Sequence, residues 1–361
     1  MRSGRAVMSG CPSNQANVYE IDPTNDERWD YFVQTQPRAS IFHTRAWLES
    51  LRDTYGYTPR AVTTSAPGAE LTDGLPFCEI SGLFGKRRLV SLPFSDHCQP
   101  LIQSEKQFVF LAEYLERKRE EEKWDYVELR PVVSGLAAGS RFEKSQSFVL
   151  HRLDLQGNPE DLFASFHKGC IQRKIRRAEK ESLACENGST ESLLRDFYQL
   201  MVITRRRHGL PAQPIAWFEN LVRNFGPKLT ISVASTSGRP VAAIVTIRHN
   251  HTLVYKYGCS DHRFNSLGGM QLLFWHAIQR AKRDGLCEFD LGRSDVDNPG
   301  LIAFKDRWGA AQSELDYLRC GMKRTSRAAS SSQNAVTKYI VSHTPKAILT
   351  SAGKALYRHM G

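Results

Sequence analysis

Hydrophobic and polar residues follow two spacings along the chain, and these predict a succession of strands and helices. Alternating or short apolar runs predict strands, in chain order, at 59–64, 75–80, 88–92, 126–130, 148–155, 229–234, 241–247, 252–258, 288–292 and 313–319. Apolar residues three or four apart, with capping residues, predict helices at 26–34, 44–53, 105–122, from 159 onward, and at 190–207, 216–225, 269–283 and 300–308. Order is expected to begin near Val18.

This alternation of strands and helices predicts an α/β protein with two domains, because 361 residues exceed one ordinary core. We expect the first domain at 18–155 and the second at 156–322. Residues 1–17 are small and polar, which indicates a flexible tail. Residues 323–361 have the composition of a basic linker followed by a C-terminal helix, which either docks on the protein or lies on an anionic membrane surface.

The charge balance favours anionic partners. Lys and Arg number 49 against 38 Asp and Glu, a formal net charge of +11. Such an excess suits phosphates, nucleic acid or an acidic membrane face, although a merely basic soluble protein has the same balance. The eight cysteines include no CxxC pair, and His249 and His251 lack further ligands, so no metal site is expected. The chain shows neither a secretory signal nor a run of ~20 apolar residues.

A glycine turn at the start of the 269–283 helix is a candidate phosphate site. The predicted strand 252–258 leads into a turn, and Leu267-Gly268-Gly269 then opens the helix. The first N–H groups of a helix have no partner inside it, and with the helix dipole they attract phosphate. Two glycines in an ordinary loop before a core helix would look the same.

The stretch 289–310 carries candidate catalytic groups. Arg293, Asp295 and Asp297 follow a predicted strand, and a short helix then places Phe304, Lys305 and Trp308 on one face. A lysine among apolar neighbours can stabilise a developing oxyanion or a phosphate. Equally, the aspartates can be helix caps and Lys305 a surface lysine with a buried stem.

A dense basic segment, 166–180, lies upstream. Arg173, Arg176 and Arg177 can gather on one side of a helix through their three- and four-residue spacing. Such a run is either a solvated face or a site for a diphosphate or a tRNA.

Several of these motifs resemble the Fem family of peptidyltransferases and related acetyltransferase-like proteins linked with envelope or polysaccharide synthesis. Asp290-Leu-Gly-Arg-Ser294 and Gly300-Leu-Ile-Ala-Phe-Lys-Asp-Arg-Trp-Gly309 look like turns of that family's second GNAT-like domain. The basic segment resembles its Arg-x-x-Ile-Arg-x-Ala-Glu-Lys helix. Ser91–Pro100 and Ser40–Trp47 resemble two loops of its first domain, so the likeness runs from about residue 30 to 322.

The resemblance implies two tandem GNAT-like domains with mixed, mainly antiparallel sheets, and a cleft between them that binds the acceptor. It implies transfer of an acyl or aminoacyl group from acyl-CoA or aminoacyl-tRNA, with no tightly bound cofactor. The acceptor would be an amine or hydroxyl of a nucleotide- or lipid-linked envelope precursor, for peptidoglycan or polysaccharide, in the cytoplasm or at the inner face of the membrane. A non-catalytic GNAT-like module that binds tRNA or anionic glycolipid is the alternative.

Two departures from the family leave the donor open. Ser266 replaces the first glycine of the coenzyme A pattern Arg/Gln-x-x-Gly-x-Gly/Ala, which here begins at Arg263. The sequence also has no long helical arm of the kind found in staphylococcal-type Fem enzymes.

Site roles are expected as follows. Lys305 stabilises the oxyanion or an adjacent phosphate, and Asp96 or Asp295 accepts the proton. Substrate contacts are expected at Arg173, Arg176, Tyr257, Arg293, Phe304 and Trp308. Donor-phosphate contacts are expected at Arg263, Gly268 and Gly269.

Overall fold

The computed structural model describes residues 17–82, 85–321 and 356–359. The strands are β1 (Tyr19–Ile21), β2 (Pro59–Thr63), β3 (Leu75–Ser81), β4 (Arg87–Val90), β5 (Tyr126–Leu129), β6 (Glu143–Asp154), β7 (Ala184–Gly188), β8 (Leu229–Thr236), β9 (Arg239–His249), β10 (Thr252–Ser260), β11 (Glu288–Asp295) and β12 (Ala311–Gly321). The α-helices are α1 (Arg28–Thr35), α2 (Arg45–Tyr55), α3 (Glu105–Glu122), α4 (Pro159–Ser165), α5 (Arg173–Lys180), α6 (Glu191–Arg207), α7 (Ile215–Phe225), α8 (Gly269–Arg283) and α9 (Pro299–Asp306). The predicted tail and most of the predicted C-terminal segment lie outside the described residues.

Local capping chemistry explains why helix boundaries agree with the sequence pattern. The Ser104 side chain accepts the Gln107 N–H at the start of α3, and Lys123 ends that helix in the left-handed region. At α4, Asn158 accepts the Asp161 N–H ahead of Pro159. The predicted bounds of α3 and α8 are confirmed to the residue.

Within the described residues the strands form one sheet in the order β1-β2-β3-β4-β5-β12-β6-β11-β10-β9-β8-β7. Only two neighbouring pairs, β4 with β5 and β10 with β11, are parallel. The expected mixed, mainly antiparallel architecture is therefore confirmed.

The middle of the sheet joins two halves of the chain by hydrogen bonds. The first half is residues 18–155 and the second is residues 156–321. β6 lies between β11 and β12, although it precedes both by more than a hundred residues. β12 in turn pairs with β5 through Leu318↔Leu129 and its neighbours. The division expected near residue 155 falls just after β6, and the sheet continues across it.

Two large cores cover opposite sides of the second half of the sheet. One is shared with the first half through α2 and α7, where the rings of Trp47 and Trp217 meet edge to face at 5.2 Å. The other contains α5, α8 and α9, and includes Ile175, Phe274 and Trp308. Because the first core includes residues of both halves, it fixes how the halves sit relative to each other.

The described C-terminal residues, 356–359, dock on the protein. Tyr357 is buried with its ring 5.9 Å from that of Phe94, and the Tyr57 hydroxyl donates to the carbonyl oxygens of Tyr357 and Arg358. These contacts support docking for this short piece. No helix among the described residues is long and apolar enough to cross a membrane.

A buried charge network should contribute strongly to stability at the junction. Glu128 on β5 is 3% exposed and accepts hydrogen bonds from Arg130 at 3.0 Å and from Arg319 of β12 at 2.7 Å. Glu128→Ala leaves two cations without their partner, so we expect the free energy of unfolding to fall by about 3–5 kcal/mol. Urea denaturation measures the change. Glu191→Ala, which removes the exposed partner of Arg195, is the control and should change little. Equal losses in the two variants would contradict the role of Glu128.

Candidate active site where two strands separate

The candidate site lies where β10 and β11 part. The two strands pair only at Thr252–Val254 with Glu288–Asp290, although β10 continues to Ser260 and β11 to Asp295. A bulge in β10 between Tyr255 and Tyr257 adds Lys256 as an extra residue. Beyond Val254, the edge of β10 that faces β11 therefore has backbone groups without a strand partner.

A strained loop of the first half reaches this opening. Leu92 and Phe94 have φ values of 62° and 60°, a left-handed conformation that costs bulky residues roughly 1–2 kcal/mol each. Arg130 holds the loop by donating to the carbonyl oxygens of Leu92 and Ser95 at 2.8 and 3.0 Å. The constraint presents the next residue, Asp96, to β11.

Asp96 makes an ion pair in the opening. Its Oδ2 accepts from Lys256 Nζ at 3.1 Å, and a Cβ added to Gly292 would lie 3.0 Å from the same oxygen. The Lys256 ammonium also lies 5.0 Å from the centre of the Phe42 ring and 5.5 Å from that of Trp47. Burial lowers the pKa of Lys256, with Asp96 opposing the shift.

Lys305 approaches the same point from α9. It is 2% exposed, and its Nζ donates to the carbonyl oxygens of Gly292 at 2.7 Å and Arg293 at 2.9 Å. Burial lowers its pKa to about 8, although Asp96 and Asp290 favour the charged form. An ammonium has three N–H donors, so one remains beyond these two bonds.

Arg293 and Tyr317 connect β11 and β12 to the Asp96 loop. Arg293 donates to the Tyr317 hydroxyl at 2.9 Å, and that hydroxyl donates to the Asp96 carbonyl oxygen at 2.7 Å. Burial raises the pKa of Tyr317 to about 12, so the phenol stays protonated at neutral pH.

A histidine and an aspartate form a hydrogen bond beside the last residue pair that β10 and β11 share. His97 Nε2 lies 2.9 Å from Asp290 Oδ2, and both residues are almost fully buried. The second Asp290 oxygen accepts the Gly292 N–H at 2.7 Å. Burial raises the pKa of Asp290, but His97, Arg152 and the Gly292 N–H together hold it below the usual value.

We call the residues Asp96, His97, Lys256, Asp290, Arg293 and Lys305 the strand-split cluster. Half of it is buried and the rest is partly buried; it is rich in charge and built from both halves of the chain. Groups of three or more His, Cys, Asp or Glu side chains able to hold a metal ion do not occur among the described residues. The cluster's carboxylate, imidazole and ammonium groups can transfer protons and stabilise charge.

A cavity of about 170 Å³ opens at the first turn of α8 and is called the α8 cavity. Gly269, Met270 and Gln271 line it together with Lys174 of α5 and Phe304 of α9. The N–H groups of this turn have no acceptor within the helix. Both the cationic side chain and these donors suit an anionic group.

The glycines before α8 also serve close packing. A Cβ on Gly268, whose φ is +81°, would lie 2.3 Å from the Lys174 carbonyl oxygen. A Cβ on Gly269 would lie 3.3 Å from Ala242. Packing against neighbouring elements therefore requires glycine at Gly268, in addition to any approach of a phosphate.

The structure brings some predicted site residues together and separates others. Asp96, Arg293 and Lys305 meet in the strand-split cluster, and Phe304 and Gly269 line the α8 cavity. Arg173 and Arg176 are exposed on α5, the helix that also carries Lys174.

The other predicted residues lie elsewhere. Tyr257 is buried and its hydroxyl accepts from Trp217 Nε1 at 2.8 Å, while Trp308 is fully buried and stacks on Phe274. Neither lines the α8 cavity. Asp295 is exposed at the end of β11.

Arg263 has a local partner. Its guanidinium bonds Asp261 at 2.6 Å, and this contact, ahead of the opposing effect of partial burial, lowers the pKa of Asp261 to about 2. The Arg263 guanidinium, which was expected to bind a donor phosphate, is therefore already paired with a carboxylate.

The geometry brings four further residues to the site: Lys174, Lys256, His97 and Asp290. From the sequence, His97 was considered only beside Asp96, as a base or amine anchor, and Lys174 only within the basic segment. Lys256 and Asp290 were given no role. The turn motif that contains Asp290 and the loop that contains His97 were visible, but their pairing spans 193 residues. Lys256 stands between two aromatic strand residues, and only the bulge directs it to Asp96.

Residues 165–305 match the acetyltransferase (GNAT) domain family. No curated protein sequence matches the chain significantly.

Solved structures share the whole fold at low identity. The chain is similar to FemX, with a TM-score of 0.66 and 15% identity over 83% of this chain and 96% of that one. It is similar to the C-terminal domain of a putative lysylphosphatidylglycerol synthetase from Agrobacterium fabrum. The TM-score is 0.52, with 14% identity over 87% of this chain and 95% of that one. It is also similar to a tandem GNAT protein from the clavulanic acid biosynthesis pathway. That comparison has a TM-score of 0.51 and 11% identity over 84% of this chain and 98% of that one. Residues 165–305 therefore carry a GNAT-type acetyltransferase domain, and over most of its length the chain has the fold of FemX and of a tandem GNAT protein.

Proposed function

We propose that the protein moves an activated acyl or aminoacyl group from a phosphate-bearing carrier, acyl-CoA or aminoacyl-tRNA, to an amine or hydroxyl of an anionic cell-envelope precursor. The observation that carries the proposal is the strand separation. Lys256 on the separated part of β10 contacts Asp96 of the strand-split cluster, and Ser260 at the end of the same strand lines the α8 cavity.

The α8 cavity suits the carrier's phosphate. The first turn of α8 and Lys174 line one small space, and both favour negative charge. The Lys174 ammonium donates to the carbonyl oxygen of Asn265, another residue of the same wall, at 3.4 Å. Phe304 lines the same space and belongs to the helix that carries Lys305. We expect a carrier bound there to extend its acyl group along the separated part of β10, which reaches from the opening to Ser260 at the cavity.

The opening suits the carbonyl oxygen. As a nucleophile attacks, that oxygen gains negative charge, and preorganised donors stabilise it most in a site without water. The free edge of β10 offers backbone N–H groups, and Lys305 offers its remaining N–H. Asp96, whose side chain is 18% exposed, borders the opening and is paired with Lys256.

The acceptor class follows from charge and from fold likeness. Arg173 and Arg176 present exposed cations on α5, beside the helix start of α8. One neighbour in fold is described as the C-terminal domain of a putative lysylphosphatidylglycerol synthetase, and the named lipid contains an anionic phosphate. Together these favour an anionic envelope precursor, either nucleotide- or lipid-linked.

The decisive experiment incubates the purified protein with ¹⁴C-acetyl-CoA or with ¹⁴C-aminoacyl-tRNA, each with and without UDP-linked and lipid-linked precursors. We expect label to reach one acceptor class from one donor. Transfer from neither donor, together with binding of tRNA or anionic lipid that weakens steeply with salt, would favour a non-catalytic binding module instead.

Lys174→Ala should weaken binding of the donor. Loss of one charge-assisted contact costs about 1.5–3 kcal/mol, so the Kd for acetyl-CoA should rise about tenfold or more in isothermal titration calorimetry. Lys180→Ala removes an exposed lysine from the same helix and should leave the Kd unchanged. Equal effects of the two substitutions would argue for a diffuse charge effect.

Lys305→Ala should lower kcat well beyond tenfold with little change in the KM for donor, because the ammonium acts on charge that develops in the transition state. Lys282→Ala is the matched control, since Lys282 also donates to two backbone carbonyl oxygens, those of Leu155 and Gly157, but outside the site. Wild-type turnover in the Lys305 variant would remove this residue from the mechanism.

The pH dependence should report the same ammonium. Because the pKa of Lys305 is about 8, the group is charged below that pH and loses its charge above it. We therefore expect kcat to fall as pH rises through about 8. Lys305→Arg keeps its charge, so any turnover that it retains should stay level across this range. An unchanged alkaline decline in the arginine variant would assign the decline to another group.

A further inference from the structure

We propose that His97, oriented by Asp290, accepts the proton of the acceptor amine or hydroxyl, and that the acceptor enters through the cavity that His97 lines. The inference rests on the proposed acyl transfer and assigns a residue to its proton-transfer step. It departs from the sequence-based expectation that Asp96 or Asp295 does so.

The hydrogen bond to Asp290 fixes the state of the imidazole. Asp290 is anionic, because its pKa is held low, so its Oδ2 accepts and His97 Nε2 must carry the hydrogen. In the neutral ring, Nδ1 is then the atom with a free lone pair. An orienting carboxylate that selects one tautomer is the arrangement that makes histidine an effective base.

That lone pair has no protein partner. Among the described residues, His97 is only 3% exposed, and its Nδ1 is a buried polar atom without a hydrogen bond. Buried polar atoms are almost always satisfied, so an unsatisfied one needs an explanation. A group that arrives with the acceptor supplies it.

A cavity of about 370 Å³ adjoins the histidine and is called the His97 cavity. Its walls come from both halves of the chain and combine apolar residues with the polar side chains of Ser40, Gln99, Arg152, Thr252 and Glu288. The volume is within the range of small-molecule sites. Glu288 and Arg152 give it charges of both signs, which suits a polar acceptor that carries an amine or hydroxyl.

The position along the sheet suits the reaction. Asp290 pairs with Val254 at the last rung before β10 and β11 part, and both residues line the His97 cavity. Asp96, the neighbour of His97, reaches the strand separation itself. The histidine therefore lies between the cavity and the opening proposed for the acyl group.

The acceptor nitrogen or oxygen forms a bond to the carbonyl carbon while its proton moves to Nδ1, and the carbonyl electron pair moves onto oxygen. Collapse of this intermediate restores the carbonyl and breaks the bond to the carrier. The carrier's sulfur or oxygen leaves with the bonding pair and takes the proton back from Nδ1.

The test uses His97→Gln, whose amide nitrogen can still donate to Asp290 but has no basic lone pair. With acetyl-CoA and a primary amine acceptor such as ethanolamine, kcat should fall about 10²–10⁴-fold, with the thermal midpoint and the Kd for acetyl-CoA unchanged. Transfer to hydroxylamine, whose nitrogen is unprotonated at neutral pH, should fall much less. Wild-type kcat with the amine would overturn the assignment. An equal fall in transfer to the amine and to hydroxylamine would overturn it as well.

A measurement without turnover separates this inference from the proposed function. In ¹⁵N spectra of the histidine-labelled full chain, we expect His97 to show a protonated Nε2 and an unprotonated Nδ1, and Asp290→Asn to shift this balance. The opposite tautomer in the wild-type protein would refute His97 as the base even if acyl transfer is demonstrated. Absence of transfer from every donor, with the expected tautomer present, would instead count against the proposed function alone.

Discussion

The parting of β10 from β11 after Val254 and Asp290 is the constraint on which the site depends. A parallel pair that stayed in register would satisfy its own backbone groups and leave no space between the strands. The bulge at Lys256 and the left-handed Gly292 end that register. The opening that results is filled partly by side chains of the first half, so neither half alone contains the cluster.

Burial sets the electrostatic character of this opening. Asp96 and Asp290 favour the charged forms of Lys256 and Lys305, whereas the nearby Arg293 disfavours them. Taking cations out of water disfavours their charge, and this explains why the pKa values of both lysines are lowered. A local excess of positive charge in a dry site is what a developing oxyanion requires. The cost of holding these charges is offset by the cores on both sides of the sheet and by the docked Tyr357.

The sequence predicted the elements well, because helix caps and apolar spacing act locally. α3 and α8 agree to the residue, whereas β6 begins at Glu143, five residues before the expected start, since its polar first residues pair with β12. Strand order was not predictable from these patterns. Nothing local in β6 indicates that it lies between β11 and β12.

The site was predicted only in part, because local sequence patterns do not show which distant residues meet. Asp96, Arg293 and Lys305 belong to short motifs and do meet, but Trp308 proved to be a core residue although its spacing put it on the Lys305 face. His97 with Asp290, and Asp96 with Lys256, are contacts between the two halves of the chain. Such pairs depend on the tertiary fold and on one bulge, neither of which a periodic pattern contains.

The most direct test of the account is a crystal structure of the protein with a non-reactive thioether analogue of acetyl-CoA. The account predicts the pyrophosphate at the first turn of α8 beside Lys174, and the acyl oxygen within hydrogen-bond distance of the β10 edge or of Lys305. An analogue bound elsewhere, with β10 and β11 separated but empty, would contradict it.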